Sequence, residues 1–314
     1  MKHTRITASV RGMILVCCVW MGSAPSRADP SPRVVASIKP IHALVSGVMR
    51  GVGEPELLLP GSASPHAHAL RPSEMALLTR ADLIFWVGAE LETFLIKPLQ
   101  QRGRNVRIVT LHQAPGIHLL PNREQGGNLD HHADEHGKHL HGTMDMHLWL
   151  DPVNASAMVR LIRQSLEQAD PSHAGQYREN AQRLEQRIEA FTTEIAQRLA
   201  GIKNKPFIVF HDAYHYFEKR FGLAVAGFVS VNPERPISAR RLQEIHTLLK
   251  DSGASCIFSE PQFEPALVDA IVRDQPIQKG TLDPVGSDTP MGEEGWFVLM
   301  DNLVNNLTDC LRQP

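Results

Sequence analysis

The chain carries almost no excess of either charge: 32 lysines and arginines face 34 aspartates and glutamates, a net of −2 at pH 7. The broad basic surface that nucleic-acid binding needs is therefore missing. Cysteine is scarce, at four residues with no C-x-x-C pair, too few ligands for a cysteine-rich zinc module. H-E-x-x-H, the helical signature of zinc peptidases, is also absent. The apolar run at residues 13–21 is about half of the ~20 residues that a bilayer span requires. What is present suffices for a substantial core, with 42% hydrophobic against 21% charged residues in 314. At about 100–200 residues per domain, that length predicts two lobes and excludes disordered or fibrous architectures. The residue in excess is histidine, sixteen in all with five of them inside 131–141. Metal chemistry is the first hypothesis to test.

Lys2, Arg5 and Arg11 ahead of the short apolar run, and Ser26-Arg27-Ala28 behind it, predict a secretory signal peptide over residues 1–28. A lipoprotein reading through Cys17 or Cys18 is weaker, because Val16 stands where a small residue should precede a lipidated cysteine. Without residues 1–28 the chain has 28 basic and 34 acidic residues, a net of −6, and keeps Cys256 and Cys310 alone. In an oxidising compartment a disulfide between them is the economical reading, and a pair of zinc-binding thiolates is its rival.

Strand-like apolar runs at 34–38, 83–87, 106–109, 207–210, 225–229 and 256–259 alternate with helical stretches at 41–49, 73–79, 90–100, 239–249 and 265–273. This alternation predicts an α/β fold of two lobes built on parallel sheets. Between them, Tyr177, Ala181, Leu184, Ile188, Phe191, Ile195 and Leu199 recur at steps of three or four. They predict one long amphipathic helix within 171–202, with Pro171 in its first turn and Gly201 near its end. The flanking glutamines and arginines favour an intramolecular strut over a coiled coil. The expected layout is an N-terminal lobe over 29–170, the rigid linking helix over 171–202 and a C-terminal lobe over 203–314.

Residues 122–141 carry His131, His132, His136, His139 and His141 with three glycines and almost nothing apolar, so they cannot pack a core. They read either as a loose accessory metal collector or as a solvated insertion. An ordered site belongs elsewhere, and three histidines stand at strand ends or in the loops beyond, where α/β folds place ligands. His66 lies in a turn-rich loop, His147 precedes Leu148-Trp149-Leu150-Asp151-Pro152, and His211 directly follows the apolar run 207–210. Any one of them alone reads more naturally as a structural histidine; together, beside the histidine-rich segment, they point to a metal. Asp283, before Pro284, is the candidate fourth donor, with turn formation as its ordinary role. Three imidazoles and a carboxylate suit zinc better than manganese.

The segments Gly61-Ser62-Ala63-Ser64-Pro65-His66, Leu70-Arg71-Pro72-Ser73, Met146-His147-Leu148-Trp149-Leu150, Phe210-His211-Asp212-Ala213-Tyr214, Glu260-Pro261-Gln262-Phe263 and Gly280-Thr281-Leu282-Asp283-Pro284 run in order through the chain. With a histidine-rich insertion between the first two ligand motifs, the series resembles the ZnuA group, the zinc-specific solute-binding proteins of ABC importers. The resemblance implies a two-lobed cluster A-I protein with the metal site in the cleft between the lobes. By motif, His66 and His147 come from one lobe, His211 and Asp283 from the other, and Cys256 pairs with Cys310. The histidine at 211 favours zinc, because manganese-binding relatives typically have a glutamate there. Implied too are a periplasmic location, a membrane permease as partner, and capture of Zn2+ without chemistry on it; the chain is expected to act as a monomer. Another periplasmic zinc carrier is a further candidate partner.

This chain departs from the group in two places. Pro65 replaces a glutamate that competes for the metal in some members, which leaves Asp283 or water to complete the shell. His68 stands where a tyrosine is common and could be a spare ligand, a supporting group or a plain loop residue; His215, four residues past His211, raises the same question. The alternatives to zinc delivery are manganese or iron carriage on the same fold, which residue 211 opposes, and a zinc hydrolase with Glu260 as base.

Overall fold

A computed structural model describes residues 31–61, 63–102, 106–123, 144–230, 237–263, 265–273 and 275–312. The expected signal peptide at 1–28 and the histidines His131, His132, His136, His139 and His141 lie outside the described residues. The first lobe is a four-stranded parallel sheet of β1 (Val34–Ala36), β2 (Glu56–Leu57), β3 (Leu83–Trp86) and β4 (Arg107–Thr110), in the order β2-β1-β3-β4. The second repeats that order as β6-β5-β7-β8, with β5 (Phe207–His211), β6 (Val225–Ser230), β7 (Cys256–Ser259) and β8 (Gln278–Thr281), again all parallel. Central strands β1, β3 and β5 are buried throughout, which is why they read as continuous apolar runs rather than alternating ones.

Helices α1 (Lys39–Met49), α2 (Pro72–Arg80) and α3 (Ile96–Gln100) belong to the first lobe. The helix expected over 90–100 is shorter than its pattern: one 3-10 turn, Thr93–Leu95, leads into α3. Pro98 has no N–H to reach back to residue 94, so it is tolerated only within the first turn of a helix that starts late. Next, α4 (Pro152–Ala169) starts where Asp151 accepts the Val153 N–H at 2.9 Å. Beyond it, α5 (Ala174–Leu199) is the expected long helix, flanked by 3-10 turns at Pro171–His173 and Ala200–Ile202. Its 26 residues span about 39 Å. Tyr177, Ala181, Leu184, Ile188, Ile195 and Leu199 form its buried stripe.

The second lobe adds α6 (His215–Phe221), α7 (Ala239–Asp251), α8 (Pro265–Val272) and α9 (Glu294–Leu311). α9 returns along α5, and ion pairs Arg183–Glu293, Arg187–Glu294 and Arg198–Asp301 run down the seam. On its other side α5 meets α1, where Gly47 leaves room for Leu184; a Cβ there would stand 2.8 Å from a leucine methyl. One hydrophobic core accordingly continues from β1 and β3 through α4, α5 and α9 into Phe207 and Phe258 of the second sheet. A smaller cluster, with Ile208, Val229, Ile245 and Ile257, lies on the far face of that sheet. Cys256 and Cys310 are joined by a disulfide that ties β7 to the end of α9. Closing a loop of 54 residues stabilises the chain by about 4 kcal/mol on chain entropy.

Candidate metal centre

His211 is the last residue of β5, the strand at which the second sheet reverses its order, so its ring projects from the carboxyl end at the topological switch point. His147 is the N-cap of a 3-10 turn, Leu148–Leu150, and His66 sits on the loop after β2. The fold brings these three together. Their ring centroids are 5.2, 5.1 and 4.8 Å apart, and one nitrogen from each lies within 4.8 Å of the others. Nε2 of His66 and Nε2 of His147 face one another at 3.2 Å. Two donors on a tetrahedral zinc, each ~2.0–2.1 Å from it, would stand roughly 3.3 Å apart. The small cavity that the rings line together with Pro65, Glu260 and Phe263 is about 10 Å3, room for an ion or one water rather than an organic solute.

Two buried carboxylates orient the rings. Asp145 Oδ1 accepts both the backbone N–H of His147, at 2.9 Å, and its Nδ1–H, at 2.7 Å, which turns Nε2 inward. Glu260 does the same for His211, accepting from Nδ1 at 3.3 Å and from the Tyr214 hydroxyl at 3.2 Å. Burial lowers the proton affinity of the His211 imidazole, but the Glu260 carboxylate, with the charges of Asp145 and Asp212, outweighs it and the pKa ends above the ordinary histidine value. Carboxylate-backed imidazoles of this kind are stronger ligands with a fixed tautomer. The D-x-H spacing of Asp145 and His147 is a local signal that sequence reasoning passed over. Glu260 was weighed there only as a hydrolytic base, and here it is engaged with His211 and Tyr214.

Asp283 stands outside the group of three. Its carboxylate accepts the N–H groups of Val285 at 3.0 Å, Gly286 at 2.9 Å and Ser287, and the Gln262 amide at 2.7 Å. The turn built on it supports the His66 loop instead. Ser287 donates its hydroxyl to Gly61 O at 2.7 Å, and Lys39 Nζ donates to Ser287 O and Thr289 O at 2.7 and 2.6 Å. Trp149, packed against His147, donates to Pro284 O at 2.7 Å and ties the same turn to the first lobe.

His68 faces away from the centre: its Nε2 is 2.8 Å from Glu74 Oε2, which also accepts the Arg71 N–H at the start of α2, and its ring meets Phe94 edge-on. It fastens its loop to α2. His215, the first residue of α6, is half-buried, and burial lowers its pKa; it does not join the group.

A profile of the family described as "Zinc-uptake complex component A periplasmic" matches residues 34–310. The chain is 43% identical over 307 residues to the high-affinity zinc uptake system protein ZnuA of Brucella abortus (strain 2308), covering 88% of this chain and 91% of that protein. With the protein of the same name from Yersinia pestis it shares 37% identity over 294 residues, covering 90% and 92%. Among solved structures, a zinc-bound ZnuA deletion mutant aligns with a TM-score of 0.75, covering 90% of this chain and 100% of that one; at 22% identity this speaks to the fold alone.

Proposed function

Since the chain belongs to the ZnuA family of periplasmic zinc-uptake components, we propose that it captures Zn2+ in the periplasm and delivers it to the membrane permease of an ABC-type zinc importer. The ion is cargo, held by the Nε2 atoms of His66, His147 and His211. The single observation that carries this reading is the convergence of three imidazoles from both lobes, two of their donor atoms at tetrahedral spacing. Three neutral nitrogen donors in so small a space favour zinc over the oxygen-preferring manganese. Water is the better candidate for the fourth position, because four donors already occupy the Asp283 carboxylate. Asp145 and Glu260 would stabilise the charge that arrives with the ion. The histidines of 131–141 are proposed as an accessory collector rather than the site itself.

The test is a chelator-competition titration of the metal-free protein with and without residues 124–143, using zinc and manganese in parallel. One tight zinc site should survive the deletion. Its disappearance with the segment would refute the three-histidine centre, and a preference for manganese would leave the carrier role standing with the wrong ion.

A further inference from the structure

The guanidinium of Arg123 belongs to neither the core nor the metal centre, yet it crosses from the first lobe to the second. Its Nε donates to both oxygens of Asp212 at 3.0 Å, and Nη2 donates to Asp212 as well. Nη1 and Nη2 donate to the two oxygens of Glu218 at 2.7 and 3.0 Å. The two acids are only 8% exposed, and the Phe228 ring centre lies 5.5 Å from the guanidinium. One planar fork thus bridges two buried carboxylates and fixes both in direction, which a lysine could not do.

What gives this pair meaning is the position of its members. Asp212 adjoins His211, and Glu218 lies on α6, the helix that follows. On the other side, Pro121 bridges Met144, and Leu120 O accepts the Asp145 N–H at 2.8 Å. Asp145 is the group that orients His147. Tyr216 of α6 closes the ring by accepting the Leu120 N–H at 2.9 Å and donating to Asp145 O at 2.7 Å. A continuous bonded path therefore runs from His147 through Asp145, Leu120 and Arg123 to Asp212 and His211.

We propose that Arg123 is a positioning residue for metal retention: its fork sets the spacing of His147 against His211 across the lobe boundary, so that zinc leaves faster when the fork is lost. This rests on the three-histidine reading of the centre. A second cross-lobe pair on the same helix supplies the control, because Arg220 donates to both oxygens of Asp151 at 2.7 and 2.8 Å, and Asp151, four residues past His147 at the far end of its turn, bonds to the side chain of neither ligand.

The experiment follows zinc release from the full-length mature protein, loaded with one equivalent, into excess chelator by stopped flow, for wild type, Arg123→Gln, Arg123→Lys and Arg220→Gln. Thermal midpoints of the metal-free proteins are measured beside it. Arg123→Gln should release zinc at least about tenfold faster, the range seen when outer supports of metal ligands are removed. Arg123→Lys should fall between it and wild type, and Arg220→Gln should keep a rate near wild type despite a lowered midpoint. Release from Arg123→Gln at the wild-type rate would overturn the proposal. So would both glutamine variants speeding release in proportion to lost stability, since Arg123 would then be merely structural. A wild-type protein that retains no zinc would defeat the three-histidine reading itself, and this inference with it.

Discussion

At the scale of single residues, the proposed centre sets protons against metal for three imidazoles, and Glu260 acts on both sides of that competition. Its charge raises the His211 pKa against burial, so protons begin to occupy that ring at a higher pH than an ordinary histidine would allow. The same charge stabilises a bound cation. Glu260→Gln should therefore lower zinc affinity at pH 8 by about tenfold or more. It should also flatten the loss of affinity on acidification, because the His211 pKa falls once the carboxylate is gone and proton competition starts lower. Chelator competition at a series of pH values between 8 and 6 checks both; an unchanged slope would mean that Glu260 does not act through His211. His66, His147 and His211 were legible in the sequence because strand-end and loop positions are visible in apolar patterning. Glu260 was not, because its link to His211 spans 49 residues and exists only once β5 and β7 pair. Asp283 was legible as a polar residue before a proline, but the N–H groups that claim its carboxylate follow from the turn's conformation.

At the scale of elements, strands with an apolar run declared themselves, the edge strands β4 and β6 included, while the edge strands β2 and β8 did not. β7 coincides with its expected bounds and β5 extends one residue beyond its run, whereas β8, Gln-Lys-Gly-Thr with no buried position, offers no apolar signal and is held by ladder bonds to β7. α4 was passed over although Asp151-Pro152 marks its start and Val159, Ile162 and Leu166 lie on its buried face. The long helix was read correctly because its stripe repeats for about six turns without glycine or proline between residues 176 and 200. That stripe, more than helix propensity, holds it in place. Ile188, 1% exposed at its middle, should cost about 2–5 kcal/mol when replaced by alanine, and the number of zinc ions bound should not change. Urea unfolding of the metal-free protein measures the first and a zinc titration the second; a loss below 1 kcal/mol would show that the α5 seam is not load-carrying at that point.

At the scale of the whole molecule, two sheets of identical strand order share one core through α5 and α9, and the metal centre lies where loops of both lobes meet. With one core shared by both lobes, the supports of the three histidines are the place where we propose retention is set: the Asp283 turn under His66, the Arg123 fork between His147 and His211, and the indole of Trp149. The twofold α/β plan was legible from alternation alone. The lobe-spanning contacts were not, because they join residues 70 to 250 positions apart. The most direct test of the account is X-ray absorption at the zinc edge of protein loaded with one equivalent, compared with the His211→Ala variant. The account predicts three imidazoles and one oxygen at ~2.0–2.1 Å in the wild type, with one imidazole fewer in the variant; a spectrum that His211→Ala leaves unchanged would contradict it.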